Sequence, residues 1–272
     1  MEARTVDRRE RLLRRSLGVA RLVVAALEVA ALAANFRYVL GFRSFAAENF
    51  FSYFTVQSAF LAVIVLVVSG VRALTDARHR VWLRAFRAAV TSYTLVSGIV
   101  FGVIAARAST RDYRVDIPWS DTVLHFIVPA VLLVDWFLES LLLPRQPRMP
   151  WGAVYAALPF PAVWLVFTLI RGQEVGWYPY FFLDPIEAGG WGGIVLYCTL
   201  VLCILLGVTA LLVGVNRLGA RLRFRGAPAG GGRADAGGPD AGDASPPASD
   251  APVQSTKVAS EASAASTTDA SS

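Results

Sequence analysis

The chain has 272 residues, of which 55% are hydrophobic and 17% charged; its mean hydropathy is +0.51 and its formal net charge +6. A soluble domain of this length carries more charge and shorter apolar runs, so composition excludes a soluble globular enzyme and points to an all-α polytopic membrane protein. The charge is uneven: residues 1–225 hold 24 arginines against 14 acids, and the remainder holds Arg233 and Lys257 against six acids. Arginine clusters beside apolar runs are a topology signal and an anionic-lipid contact, not a nucleic-acid surface. Arginine supplies 25 of the 26 basic residues, and Ala and Gly abound, which suggests a high-GC bacterial genome.

A basic segment, residues 1–16, precedes a six-helix membrane domain over 17–216. Each apolar run approaches or exceeds the ~18–20 residues that cross a bilayer as a helix. The spans are expected at 17–40, 50–70, 88–106, 119–143, 153–170 and 191–214. The connection "RGQEVGWYPYFFLDPIEAGG" between the last two is aromatic-rich, which predicts a re-entrant or interfacial segment. Residues 217–272 read as a basic juxtamembrane stretch and then a disordered tail, because beyond Gly226 no apolar side chain exceeds Val. No cleavable signal peptide is apparent. Arginines concentrate in the N-terminal segment, the second and fourth loops and the stretch after the last span. That bias predicts a bacterial cytoplasmic membrane location with both termini in the cytoplasm.

Ionisable residues inside spans are costly and are functional suspects. They are Glu28 in the first span and Asp121, His125, Asp135 and Glu139 in the fourth; Arg21 and Arg37 are placed near span ends, where they can snorkel. Asp121, His125, Pro129 and Glu139 share one helical face, with Asp135 at its edge. Pro129 cannot donate to the carbonyl four residues back, that of His125, so a distortion is expected beside the imidazole. Cys198 and Cys203 point to different helix faces and are expected as unpaired, buried residues.

The stretch "NFFSYFTVQS", Asn49 to Ser58, spaces Ser52, Thr55 and Ser58 three apart. On a continuous helix Ser52 and Ser58 flank Thr55 by about 60° on either side. Such a face serves equally as a small-residue packing seam. Thr55 and His125 nevertheless lie at similar depth, roughly 8–9 Å below the start of their spans. A neutral imidazole within reach of a threonine hydroxyl makes a base–nucleophile pair, and Asp121 is the candidate third member that orients the ring.

Three segments in order, "FFSYFTVQS", "IPWSDTVLHFIVPAVLLVDW" and "GWYPYFFLD", resemble the bacterial branch of the androgen-induced-gene and androgen-dependent (ADTRP-type) membrane protein family. The resemblance covers about residues 17–215. It implies a multi-span threonine hydrolase of fatty acid esters of hydroxy fatty acids. Thr55 is then the nucleophile, His125 the essential histidine, and Trp177 to Asp184 the third element. The expected substrate-contacting set is Asn49, Ser52, Ser58, Pro129, Trp177, Tyr178, Pro179, Tyr180 and Asp184, with no metal and no cofactor. The expected partners are membrane lipids and a lipid-like ester substrate. The alternative is a non-catalytic membrane protein, such as a transporter relaying protons along Asp121, His125, Asp135 and Glu139.

Overall fold

The computed structural model describes residues 2–41, 46–75, 81–109, 118–143 and 147–225. The tail expected to be disordered, His79, and the loop arginines Arg43, Arg78, Arg80, Arg111, Arg114 and Arg145 lie outside those residues. All regular secondary structure among the described residues is helical: α1 Glu2–Val39, α2 Ala47–Ser52, α3 Phe54–Leu74, α4 Val81–Ser109, α5 Trp119–Thr122, a π-turn Val123–Ile127, α6 Val128–Leu142, α7 Pro159–Val175 and α8 Trp191–Arg225. Two 3-10 segments, Trp151–Ala157 and Phe181–Leu183, flank α7.

Six stretches are long and apolar enough to cross a membrane: Arg8–Val39, Phe54–Leu74, Val81–Ala106, Trp119–Leu142, Trp151–Val175 and Trp191–Leu222. In lipid every backbone polar group must be satisfied inside its own segment, which is why the apolar runs fold as helices. All six expected spans overlap these, the first, third and sixth helices running seven to nine residues longer at one end than expected, and the chain is an all-helical, multi-pass membrane protein. Close helix approach requires small residues, and Gly18 of α1 meets Gly70 of α3 so tightly that a Cβ on either would come within about 3.0 Å of the other's carbonyl oxygen.

The second span differs from expectation at its head. The helix is broken at Tyr53, whose backbone is extended (φ −66°, ψ 133°). No Pro or Gly causes the break. The Ser52 carbonyl instead accepts the Trp164 indole N–H at 3.0 Å, while the Tyr53 ring packs edge-on against Trp177 and Tyr180. Ser52 therefore belongs to α2 and not to the Thr55 face of α3, and Thr55 becomes the second residue of a new helix.

Arg21 also departs from expectation. It does not snorkel: it is buried with Arg84, Arg87, Asp135 and Glu139 in one ionic cluster. Its Nε bonds both Asp135 oxygens at 3.0 Å, and its Nη2 pairs with Glu139. Arg84 reaches Glu139 Oε1 at 3.0 Å, and Arg87 reaches Asp135 Oδ2 at 2.7 Å and also pairs with Glu139. Both Arg84 and Arg87 lie over the Trp136 ring, whose indole N–H donates to the Leu212 carbonyl. Two carboxylates ready to receive it make burial of Arg21 affordable, since a buried charge is tolerated when paired and hydrogen-bonded. The cluster ties α1, α4, α6 and α8 together at one end of the bundle.

In α4, Tyr93 donates to the Ala157 carbonyl at 3.2 Å and Ser92 accepts from Thr209 at 2.9 Å, while the Thr94 hydroxyl bonds the Thr91 carbonyl within the helix. The cysteines are both free, but Cys203 is exposed on the outer face of α8. Glu28 is buried, and its Oε2 has no hydrogen-bond partner among the described residues.

Candidate active site

At the opposite end of the bundle, α3, α4 and the α5–α6 helix bring three side chains together. Thr55 Oγ1 lies 3.3 Å from His125 Nε2 and 2.6 Å from Ser97 Oγ. All three residues are buried. His125 Nδ1 is 3.0 Å from the Asp121 backbone oxygen. A carbonyl can only accept, so Nδ1 carries the proton, and the neutral ring presents its Nε2 lone pair to Thr55. The Thr55 proton then points to His125, which leaves the Ser97 hydroxyl as the donor in its bond to Thr55.

The local backbone is set by Pro129. Its missing N–H interrupts the α-helical ladder, and the chain answers with the π-turn Val123–Ile127, in which the Val128 N–H bonds the Val123 carbonyl. Turns of this kind widen a helix by one residue and often lie at functional sites. The expected distortion is present as a π-turn. The freed His125 carbonyl faces Gly98 of α4, where a Cβ would overlap it. From the other side, the Phe101 ring stacks on the imidazole with centroids 3.9 Å apart.

Asp121 reaches the site differently from the expected triad. Its carboxylate accepts from Asn35 Nδ2 at 2.6 Å and makes no bond to the imidazole. The same turn of helix supplies the orienting acceptor through its main chain.

The loop before α8 closes over Thr55. The Tyr180 hydroxyl is 3.4 Å from Thr55 Oγ1, and its ring stacks on Phe182 at 5.2 Å. Burial pushes its phenol up to about 12, against the pull of the Thr55 hydroxyl and of the Thr55 and Phe54 main-chain N–H groups. The phenol thus keeps its proton at any physiological pH. Those N–H groups belong to the first turn of α3, which the break at Tyr53 leaves without acceptors inside the helix, and they turn to the Tyr180 oxygen.

A cavity of about 770 Å³ opens beside these groups, lined by Thr55, Ser97, Asp121, His125, Pro179 and Tyr180 together with a largely apolar wall. The other expected contacts lie outside it. Ser52 donates to the Glu48 carbonyl and Ser58 to the Thr55 carbonyl. Asn49 accepts from Arg171 at 2.7 Å, and the same guanidinium lies over Trp177. Tyr178 packs on Gly172, where a Cβ would overlap its ring. Asp184 accepts the Ile186 N–H at 2.8 Å and so shapes the loop. Pro129 is buried in the helix it distorts. Ser97 is the residue that sequence reasoning missed; one hydroxyl among several in α4 carries no signal of its own. No family model matches the chain, and no curated protein or solved structure matches it either.

Proposed function

We propose that the chain is a membrane hydrolase of lipid-like acyl esters, with Thr55 as nucleophile and His125 as general base. The observation that carries the reading is the 3.3 Å approach of Thr55 Oγ1 to an imidazole nitrogen whose partner nitrogen is fixed as a donor by the Asp121 carbonyl. An internal threonine has no terminal amine to act as its base, so it needs such a neighbour. Thr55 Oγ1 adds to the ester carbonyl carbon as its proton passes to Nε2, and the carbonyl electron pair moves onto oxygen. Collapse breaks the bond to the alcohol oxygen, which leaves with the proton from Nε2, and an acyl–Thr55 ester remains. Water then adds to that ester, giving a proton to Nε2. The second collapse returns the proton to Thr55 Oγ1 and releases the acid.

The transient oxyanion needs preorganised donors. The Tyr180 hydroxyl, its oxygen held by the first-turn N–H groups of α3, is the candidate donor in this reading, while Ser97 holds Thr55 in position. An apolar cavity beside the nucleophile suits a fatty acyl chain. The sequence resemblance supports the same pair of residues. Arg8, Arg9, Arg148, Arg217 and Arg221 lie at the end away from Thr55, which supports a cytoplasmic location for both termini in a bacterial plasma membrane. The transporter reading loses support because Asp135 and Glu139 are each held by arginines.

An alkyl fluorophosphonate tests the reading. It should modify the purified protein at Thr55, and the modification should vanish in Thr55→Ala and His125→Ala. Labelling that persists in both variants removes the catalytic pair.

A further inference from the structure

The cavity wall changes character on either side of Thr55. One side is formed by Asn35, Tyr38, Tyr53 and Asp121, which offer polar groups. The other is formed by α7 and α8, which contribute Pro161, Leu165, Val201 and Leu205. Between α7 and α8 the wall is incomplete. Ala162, Val195, Thr199 and Leu202 line the cavity and are also exposed on the outer surface of the bundle, Val195 at 63% and Leu202 at 41%. Thr199 turns its hydroxyl back to the Val195 carbonyl at 2.7 Å, so its polar group is satisfied within the helix.

These four residues lie on spans that cross the bilayer, so what meets them from outside is lipid. We propose that the α7–α8 gap is a lateral portal. Through it the aliphatic tail of a lipid ester passes directly from the bilayer to Thr55 and remains there, while the alcohol part occupies the Asn35–Asp121 side. This rests on the hydrolase reading above. A tail that reached Thr55 through water would forfeit about 0.8 kcal/mol for each methylene exposed; one that slides between α7 and α8 stays in apolar surroundings throughout. From Val195 to Leu202 the opening extends roughly 10 Å along α8, room for part of an extended tail to enter sideways. The division of the wall then places the ester bond at the boundary between its apolar and polar parts, where Thr55, His125 and Tyr180 stand.

The test uses the full-length protein in phosphatidylcholine vesicles and two reagents with the same reactive group. Diisopropyl fluorophosphate approaches from water, and a hexadecyl fluorophosphonate is dissolved beforehand in the lipid. The readout is the ratio of their rates of Thr55 labelling. Ala162→Trp and Thr199→Trp fill the gap and should lower the long-to-short ratio about tenfold or more, the effect expected from forcing extra atoms into a fitted space. Val163→Trp and Leu196→Trp, at positions 71% and 68% exposed but off the cavity, should leave it as in the wild type. An unchanged ratio in Ala162→Trp and Thr199→Trp overturns the portal alone. Absence of Thr55 labelling by both reagents in the wild-type chain overturns the hydrolase reading and the portal with it.

Discussion

Gly98 of α4 lies against the main-chain carbonyl of His125, in a space that a single methyl group would overfill. This contact lets the π-turn lean on α4 and carries the imidazole to Thr55. Gly98→Ala should therefore push the His125 backbone away and lower turnover of a lipid-like ester by about 10²-fold, as misplacing a catalytic group by about an ångström does. Gly102→Ala, one turn along the same helix, meets nothing nearer than a Phe126 carbon at 3.9 Å and should be close to neutral. Steady-state turnover of the two variants in vesicles makes the comparison.

Asp121 separates a main-chain role from a side-chain one. Its carbonyl orients His125, whereas its carboxylate bonds Asn35. Asp121→Asn keeps the carbonyl and retains an acceptor for Asn35, so turnover should fall by less than about tenfold. In a triad that works through the carboxylate, the same change costs about 10⁴-fold. A loss of that size would place the carboxylate on the imidazole.

Tyr180 provides a hydroxyl that matters only as charge develops on the substrate. Tyr180→Phe keeps the ring against Phe182 and Tyr53 and removes the donor. The expected result is a fall in kcat of about 10²–10³-fold with little change in KM, as for loss of one oxyanion donor. A rise in KM with kcat intact would assign the ring to binding only.

The ionic cluster at the far end should govern stability instead. Glu139→Gln leaves Arg21, Arg84 and Arg87 with less compensating charge in a buried setting. Unfolding of the purified protein should show a loss of about 3–5 kcal/mol, the cost of breaking a buried pair. Glu48→Gln, an exposed site on α2, should stay within about 0.5 kcal/mol of the wild type.

The six spans were legible in the sequence because the bilayer fixes both their length and their apolar character. The approach of Thr55 to His125 was legible as well, since both stand near the starts of their spans and the other histidine, His79, falls between spans in the sequence. The break at Tyr53 was not, because its cause is tertiary: Trp164, far along the chain, takes the Ser52 carbonyl that a continuous helix would use, and Trp177 packs against the Tyr53 ring. Arg21 was misplaced for the same reason, as its partners lie 114 and 118 residues away. The Asp121 carboxylate is the ring partner that residue type suggests, but Asn35, 86 residues away, takes the carboxylate and the main-chain carbonyl meets the ring instead. Ser97 carries no sequence signal beyond being a small hydroxyl on a packed face.

The central claim is that an acyl group passes through Thr55. The most direct measurement is rapid acid quenching of the reconstituted protein during turnover of a long-chain acyl ester, followed by peptide mass mapping. The account predicts an acyl adduct on Thr55 that is absent in Thr55→Ala, together with loss of turnover in that variant. Undiminished turnover in Thr55→Ala, or an adduct on another residue, would contradict it.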